Sequence, residues 1–202
     1  VSLIVSKTEL KSALYRMLTG SGIDVGAAED LARAGALGAA LGLPVCDEML
    51  RGLSCKRPEA VFEDDRLIWR GRVDLTAILS SLDFLQAGQV QTVQANLVAA
   101  PHMVAALAIT LAPELSFAIV AGGKILMTHD GAVQDMGQLG TEGFAITVSV
   151  APAPLDRPLT PGPISLDDQI WDKIMRLAAK SYVPASEASR ASGAGAGLTD
   201  ND

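Results

Sequence analysis

Residues 67–98, LIWRGRVDLTAILSSLDFLQAGQVQTVQANLV, decide the fold class. Leu67 to Val73 is rich in residues that suit a half-buried pleated surface, which predicts a strand. Asp74 follows, a side chain able to accept from a backbone amide at a helix start. Leu75, Ile78, Leu79, Leu82 and Leu85 then recur with helical period and make one apolar face. Gly88 closes that helix, and Val90 to Val98 alternates as a strand does. A strand, a helix and a strand in succession are the working unit of an α/β chain.

Toward the C-terminus the pattern continues. Pro101 opens a helix that runs to Leu111, at the first turn, where its missing N–H costs nothing. Leu115 to Val120 and Lys124 to Thr128, joined at Gly122-Gly123, predict a hairpin. His129-Asp130-Gly131 reads as a second turn, Gly137 to Gly143 as a loop and Phe144 to Val150 as a strand. The stretch from Leu67 to Val93 and the one from Val90 to Val120 echo one another as two layers on one sheet. Pro152, Pro154, Pro158, Pro161 and Pro163 stiffen residues 151–163 into a strap. Ser165-Leu166-Asp167-Asp168 then caps a last helix, ending near Ser181, with Ile170, Trp171, Ile174, Met175 and Leu177 on its apolar face.

Toward the N-terminus the chain is helical. Ser6 and Glu9 have the spacing of a capping box, in which each side chain satisfies the other's backbone N–H. Leu10, Ala13, Leu14, Met17 and Leu18 form one face behind it, and Gly20 and Gly22 stop the helix. Asp24 is placed to cap a second helix, about Ala27 to Leu41, whose interior Gly35 and Gly38 suit close approach of a neighbour. Gly42 ends it, and Pro44 opens a short third helix with Val45, Met49, Leu50 and Leu53 buried. The expectation is one α/β (α+β) domain: a helical cap (1–55), a mixed sheet flanked by helices (56–150), a Pro-rich strap (151–164), and a C-terminal helix with an ordered Gly-rich tail (165–202).

The 202 residues are enough for a substantial core, and 49% apolar with only 4% aromatic makes that core mostly Ala, Leu, Val and Ile. A formal charge of −7 argues against nucleic acid or an anionic membrane as partner, since both attract cationic surfaces. The longest apolar run, Met103 to Ala112, is too short to span a bilayer, and no signal peptide is expected at the N-terminus. The expected location is cytoplasmic. Cys46 and Cys55 match no zinc spacing and have no histidine near them in sequence. They read as reduced thiols in or near the core, with a disulfide as the alternative.

The densest chemistry lies in the tail, Tyr182 to Asp202. Gly193, Gly195 and Gly197 fall short of a dinucleotide fingerprint, because they follow a helix and no helix follows them. Alternate glycines nevertheless allow backbone amides to converge on an anion. Arg190 and Ser189 before them suit a carboxylate or phosphate. With Ser186, Thr199 and Asn201 these residues make the candidate ligand set; a flexible Gly/Ser terminus is the plain alternative. Asp200, Asn201 and Asp202 offer hard oxygens, but a cation would need several more, and no metal site or cofactor is assigned.

Ser186 and Ser189 would be nucleophiles only beside a base such as His129 with Asp130, and Gly-x-Ser-x-Gly is missing. His102, in a first helical turn, reads as a capping or packed residue. Glu187 can act as a general base in a buried setting, or pair with Arg190. The Gly35/Gly38 face and the Met103–Leu111 helix pack in the core or form a homodimer seam.

AAKSYVPASEASRASGAGAGLTDND (178–202) and SGIDVGAAEDLARAGALGAALGLP (21–44) resemble the two ends of a family of small bacterial proteins known only as a domain of unknown function. The middle of the chain is similar to it only in rhythm, and the resemblance implies no activity. The N-terminal helix pair is also faintly similar to the start of malate/lactate-type dehydrogenases, but their Ser-His-Gly has no counterpart after Leu43. Three functional readings follow. The first is a small-molecule-binding or accessory protein of metabolism that recognises an anionic metabolite. The second is an enzyme using Glu187 or Asp200 as acid/base, and the third an interaction protein whose tail docks on a partner.

Overall fold

The computed structural model describes residues 2–55, 58–98, 100–113, 115–121, 124–129, 132–135, 146–150 and 158–181. The chain opens with β1 (Ser2–Val5) and three helices, α1 (Lys7–Gly20), α2 (Val25–Ala40) and α3 (Val45–Gly52). It continues through β2 (Glu59–Glu63), β3 (Arg66–Val73), α4 (Leu75–Gln86), β4 (Thr92–Val98) and α5 (Pro101–Leu111). The strands β5 (Phe117–Ala121), β6 (Lys124–His129), β7 (Ala132–Asp135), β8 (Ile146–Val150) and β9 (Ile164–Asp167) follow. Helix α6 (Asp168–Ala178) and a 3-10 turn (Ala179–Ser181) end the described chain. This is a mixed α+β protein, as the sequence implies.

The local signals act where the sequence places them. The Glu9 amide donates to Ser6 Oγ at 3.1 Å, and the Ser6 amide to Glu9 Oε2 at 3.5 Å, completing the capping box of α1. Helix α1 ends in a Schellman turn: Ile23 N–H reaches Leu18 O and Gly22 N–H reaches Thr19 O, with Gly22 at φ +87. Gly42 closes α2 with the same pair of bonds, and Asp74 caps α4 by accepting from Ala77 N–H at 2.7 Å. Asp24 departs from expectation. It precedes α2, which begins at Val25, but its side chain makes no cap hydrogen bond.

Seven strands form one sheet in the order β2-β3-β4-β8-β5-β6-β7. Strand β3 runs parallel to β4 with α4 as the crossover, while β8 is antiparallel to both β4 and β5. The second crossover, through α5, therefore joins the parallel pair β4 and β5 across the width of β8. The two echoing units of the sequence are these two crossovers. Trp69 and Leu67 are buried beneath α4, and the Trp69 indole N–H donates to Ser81 Oγ at 2.7 Å. Strands β5 and β6 pair antiparallel, as the hairpin reading requires.

A second, two-stranded sheet pairs β1 antiparallel with β9, Ser2 opposite Asp167 and Val5 opposite Ile164. This corrects the reading of Ser165 and Leu166 as part of a helix cap. They lie in a strand, with Leu166 buried, and Asp167 alone caps α6 by accepting from Gln169 N–H at 2.8 Å. The described end of the strap is tied down on both sides: Leu159 N–H donates to Val133 O and Gly162 N–H to Ala40 O.

Helix α5 is apolar all round and is buried from Pro101 to Ile109, between the sheet and α2. The two interior glycines of α2 are contact points. A Cβ on Gly35 would stand 2.8 Å from Met49 Sδ, and one on Gly38 would stand 2.9 Å from Val45 and 3.0 Å from the Ala106 methyl. The Gly35/Gly38 face and α5 are thus interior surfaces, so neither is open to a second copy as a dimer seam.

Candidate functional site

Helix α3 has two working faces. Its inner face carries Glu48, which is fully buried. The reason lies in α5, which starts after Ala100, a residue with no side-chain acceptor for the orphan amides of the first turn. Pro101 has no N–H to satisfy. The amides of His102 and Met103 both donate to Glu48 Oε2, at 2.9 and 3.1 Å, and His102 Nδ1 lies 2.6 Å from Glu48 Oε1. The positive end of the α5 dipole favours negative charge at this spot. Glu48 is therefore an N-cap supplied from 54 residues away. His102, at 4% exposure, is packed as well as capped, and the pair is closed to ligands.

The outer face of α3 is different. Asp47, Leu50, Arg51 and Ser54 stand at i, i+3, i+4 and i+7, and so share one helical stripe. Opposite them, Lys173, Arg176, Leu177 and Lys180 repeat the same spacing on α6 and its terminal turn. The two stripes line a groove of about 590 Å³, within the usual size of small-molecule sites. Arg51 Nε lies 3.3 Å from Asp47 Oδ2, an ion pair within one turn of α3. Arg176 Nε donates to Asp172 O at 3.2 Å. Among the described residues no carboxylate is within ion-pairing distance of Lys173, Arg176 or Lys180. Four cations and one carboxylate thus share a single groove, on a chain whose acids outnumber its bases by 23 to 16.

A second groove, of about 350 Å³, flanks the other side of α6, where Trp171 and Met175 face Ala13 and Arg16 of α1. Met175, expected on the buried face, is 42% exposed there. Only Ile174 and Ala178 of α6 are fully enclosed.

The residues the sequence singled out divide into two groups. Ser186, Glu187, Ser189, Arg190, Gly193, Gly195, Gly197, Thr199, Asp200, Asn201 and Asp202 lie outside the described residues, as do Asp130 and the side chain of His129. Cys46 and Cys55 are described, and both are free thiols. Cys46 is on the buried side of α3, and burial, with the adjacent Asp47 charge adding to it, pushes its thiol up to about 12. Cys55 is half-buried, with its thiol directed at Arg51 O at 3.6 Å. At mildly alkaline pH, iodoacetamide is expected to modify Cys55 readily and Cys46 only after unfolding, because the thiolate is the nucleophile. Peptide mapping checks this, and equal modification of both in the native protein would contradict the burial of Cys46. The sign on stability follows: Cys46 favours the fold below its ordinary value near 9, and this contribution is lost as pH rises toward 12.

Sequence reasoning missed Glu48 and the groove. The missing local cap at Ala100 was a usable signal for the first, since buried amides require an acceptor. The matching stripes of α3 and α6 were visible for the second, but not that they face each other. Among the described residues no group of three or more His, Cys, Asp or Glu side chains comes together to hold a metal, and no helix is long and apolar enough to cross a membrane. No family model matches the chain, and neither a curated protein nor a solved structure is significantly similar to it.

Proposed function

We propose that this protein binds an anionic small molecule in the groove between α3 and α6, acting as a binding or accessory protein of metabolism. The observation that carries the reading is the convergence of Arg51, Lys173, Arg176 and Lys180 against the single carboxylate of Asp47. Arginine offers a planar fork for oxyanions and lysine a mobile point charge, so the set combines orientation with attraction. The apolar Leu50 and Leu177 between the charges reduce local solvation and strengthen both.

The test is titration of the full chain with pyrophosphate, followed by amide chemical shifts at low ionic strength. Saturable shifts are expected along α3 and α6, weakening as salt is raised. The double variant K173A/R176A removes two charge-assisted bonds and is expected to lose at least about tenfold in affinity. Shifts that never saturate, or a double variant that binds as well as the parent, would end this reading.

A further inference from the structure

On the basis of that anion-binding reading, we propose that the groove takes a short, extended polyanion, with at least two anionic groups held apart, in preference to one compact phosphate or carboxylate. The cations do not converge on a point. Lys173, Arg176 and Lys180 stand at successive levels along α6 and its terminal 3-10 turn, and at a rise of roughly 1.5 Å per residue the first and last are separated along the axis by about 10 Å. One phosphate reaches the charges of adjacent turns but not of all three. Arg51 adds a fourth cation from the facing wall, and Asp47, 3.3 Å from its Nε, offsets one charge, which leaves the groove with a surplus of positive charge.

Like charges one turn apart on a helix repel. A ligand with several negative charges relieves that repulsion at every level of the groove, whereas a single anion relieves it at one. Leu50 and Leu177 leave an apolar floor where a linker between anionic groups would lie. An upper bound on length comes from the rest of the molecule. The chain as a whole carries −7, so a polyanion that overran the groove would meet repulsion, which disfavours nucleic acid and favours a ligand about as long as the span from Lys173 to Lys180.

The experiment is calorimetric titration of the full chain with phosphate, pyrophosphate and tripolyphosphate at constant ionic strength, repeated on Lys173→Ala and Lys180→Ala. Both lysines are exposed on a helix or its terminal turn, so alanine is compatible with folding, and circular dichroism verifies it. Affinity is expected to rise at least tenfold from phosphate to tripolyphosphate. Each end variant is expected to lose about tenfold for tripolyphosphate and less than threefold for phosphate. Phosphate binding as tightly as tripolyphosphate overturns the extended ligand while leaving the anion site standing. So does a rise with chain length that neither end variant reduces, because that is unlocalised attraction. Absence of saturable binding by all three anions removes the anion site itself, and an acidic peptide binding where they do not transfers the groove to a protein partner.

Discussion

Glu48→Ala is expected to lower stability by about 3 kcal/mol or more, because each buried polar group left without a partner costs about 1–3 kcal/mol. Three groups lose their partner at once: the amides of His102 and Met103 and the His102 ring, all now held within 3.1 Å of the carboxylate. None can turn to water, because His102 and Met103 are enclosed by the sheet and α2. For a chain of this length the loss corresponds to a fall in melting temperature on the order of 10 °C.

Glu48→Gln separates the roles. Its amide oxygen can accept from the two backbone amides, but its NH2 replaces the charged oxygen that meets the His102 ring, so an intermediate loss is expected. A double-mutant cycle with His102→Ala reads the ring contact by itself. An alanine variant within about 1 kcal/mol of the parent, against the desolvation cost of orphaned amides, would show that the first turn of α5 finds another acceptor.

Gly20→Ala is the second large effect. In isolation the change favours a helix by up to about 1 kcal/mol. Here the added methyl would lie 2.7 Å from Leu177 O and 2.9 Å from Ser181 N, both backbone atoms, and 3.3 Å from Lys180 Cβ. Backbone cannot swing aside as a side chain can, so the end of α6 must move off α1. Overpacking of this kind costs about 1–3 kcal/mol.

Gly26→Ala, also on a helix, is the control. Nothing lies within 4 Å of the place its methyl would take, and a gain of up to about 1 kcal/mol is expected. Urea denaturation reads the opposite signs. Hydrogen exchange at residues 178–181 should quicken in Gly20→Ala alone. Stabilisation by both alanines would mean that α1 and α6 separate without cost, and the groove wall bearing Lys180 would then be less firmly placed than proposed.

Much of the fold was legible because its signals are short-range. Ser6 and Glu9, Asp74 with Leu75 to Leu85, Gly22, Gly42 and Gly88 all act through bonds that close within a turn. Gly20 was legible only in part. It sits where helix α1 stops, but the turn is made by Gly22, and Gly20 is small because α6 crosses there. Strands β1 and β9 are not legible in the sequence: four residues each, with partners about 160 positions apart, they carry no periodicity long enough to identify. The candidate site was the least legible part. Arg51 and Arg176 look like ordinary surface cations in their own helices, and Glu48 looks like a surface acid next to Asp47.

The sequence by itself determined where helices begin and end, that strands alternate with them, and that the core is built of small aliphatic side chains. Capping, glycine turns and hydrophobic period are local free energies, and they operate before distant parts of the chain meet. Tertiary structure alone decided that β8 enters between β4 and β5, that Glu48 caps a helix 54 residues away, and that the basic stripe of α6 faces Arg51. Each of those depends on which surfaces fit and on which buried polar groups find partners. Those requirements are met between segments far apart in the chain, where no local pattern records them.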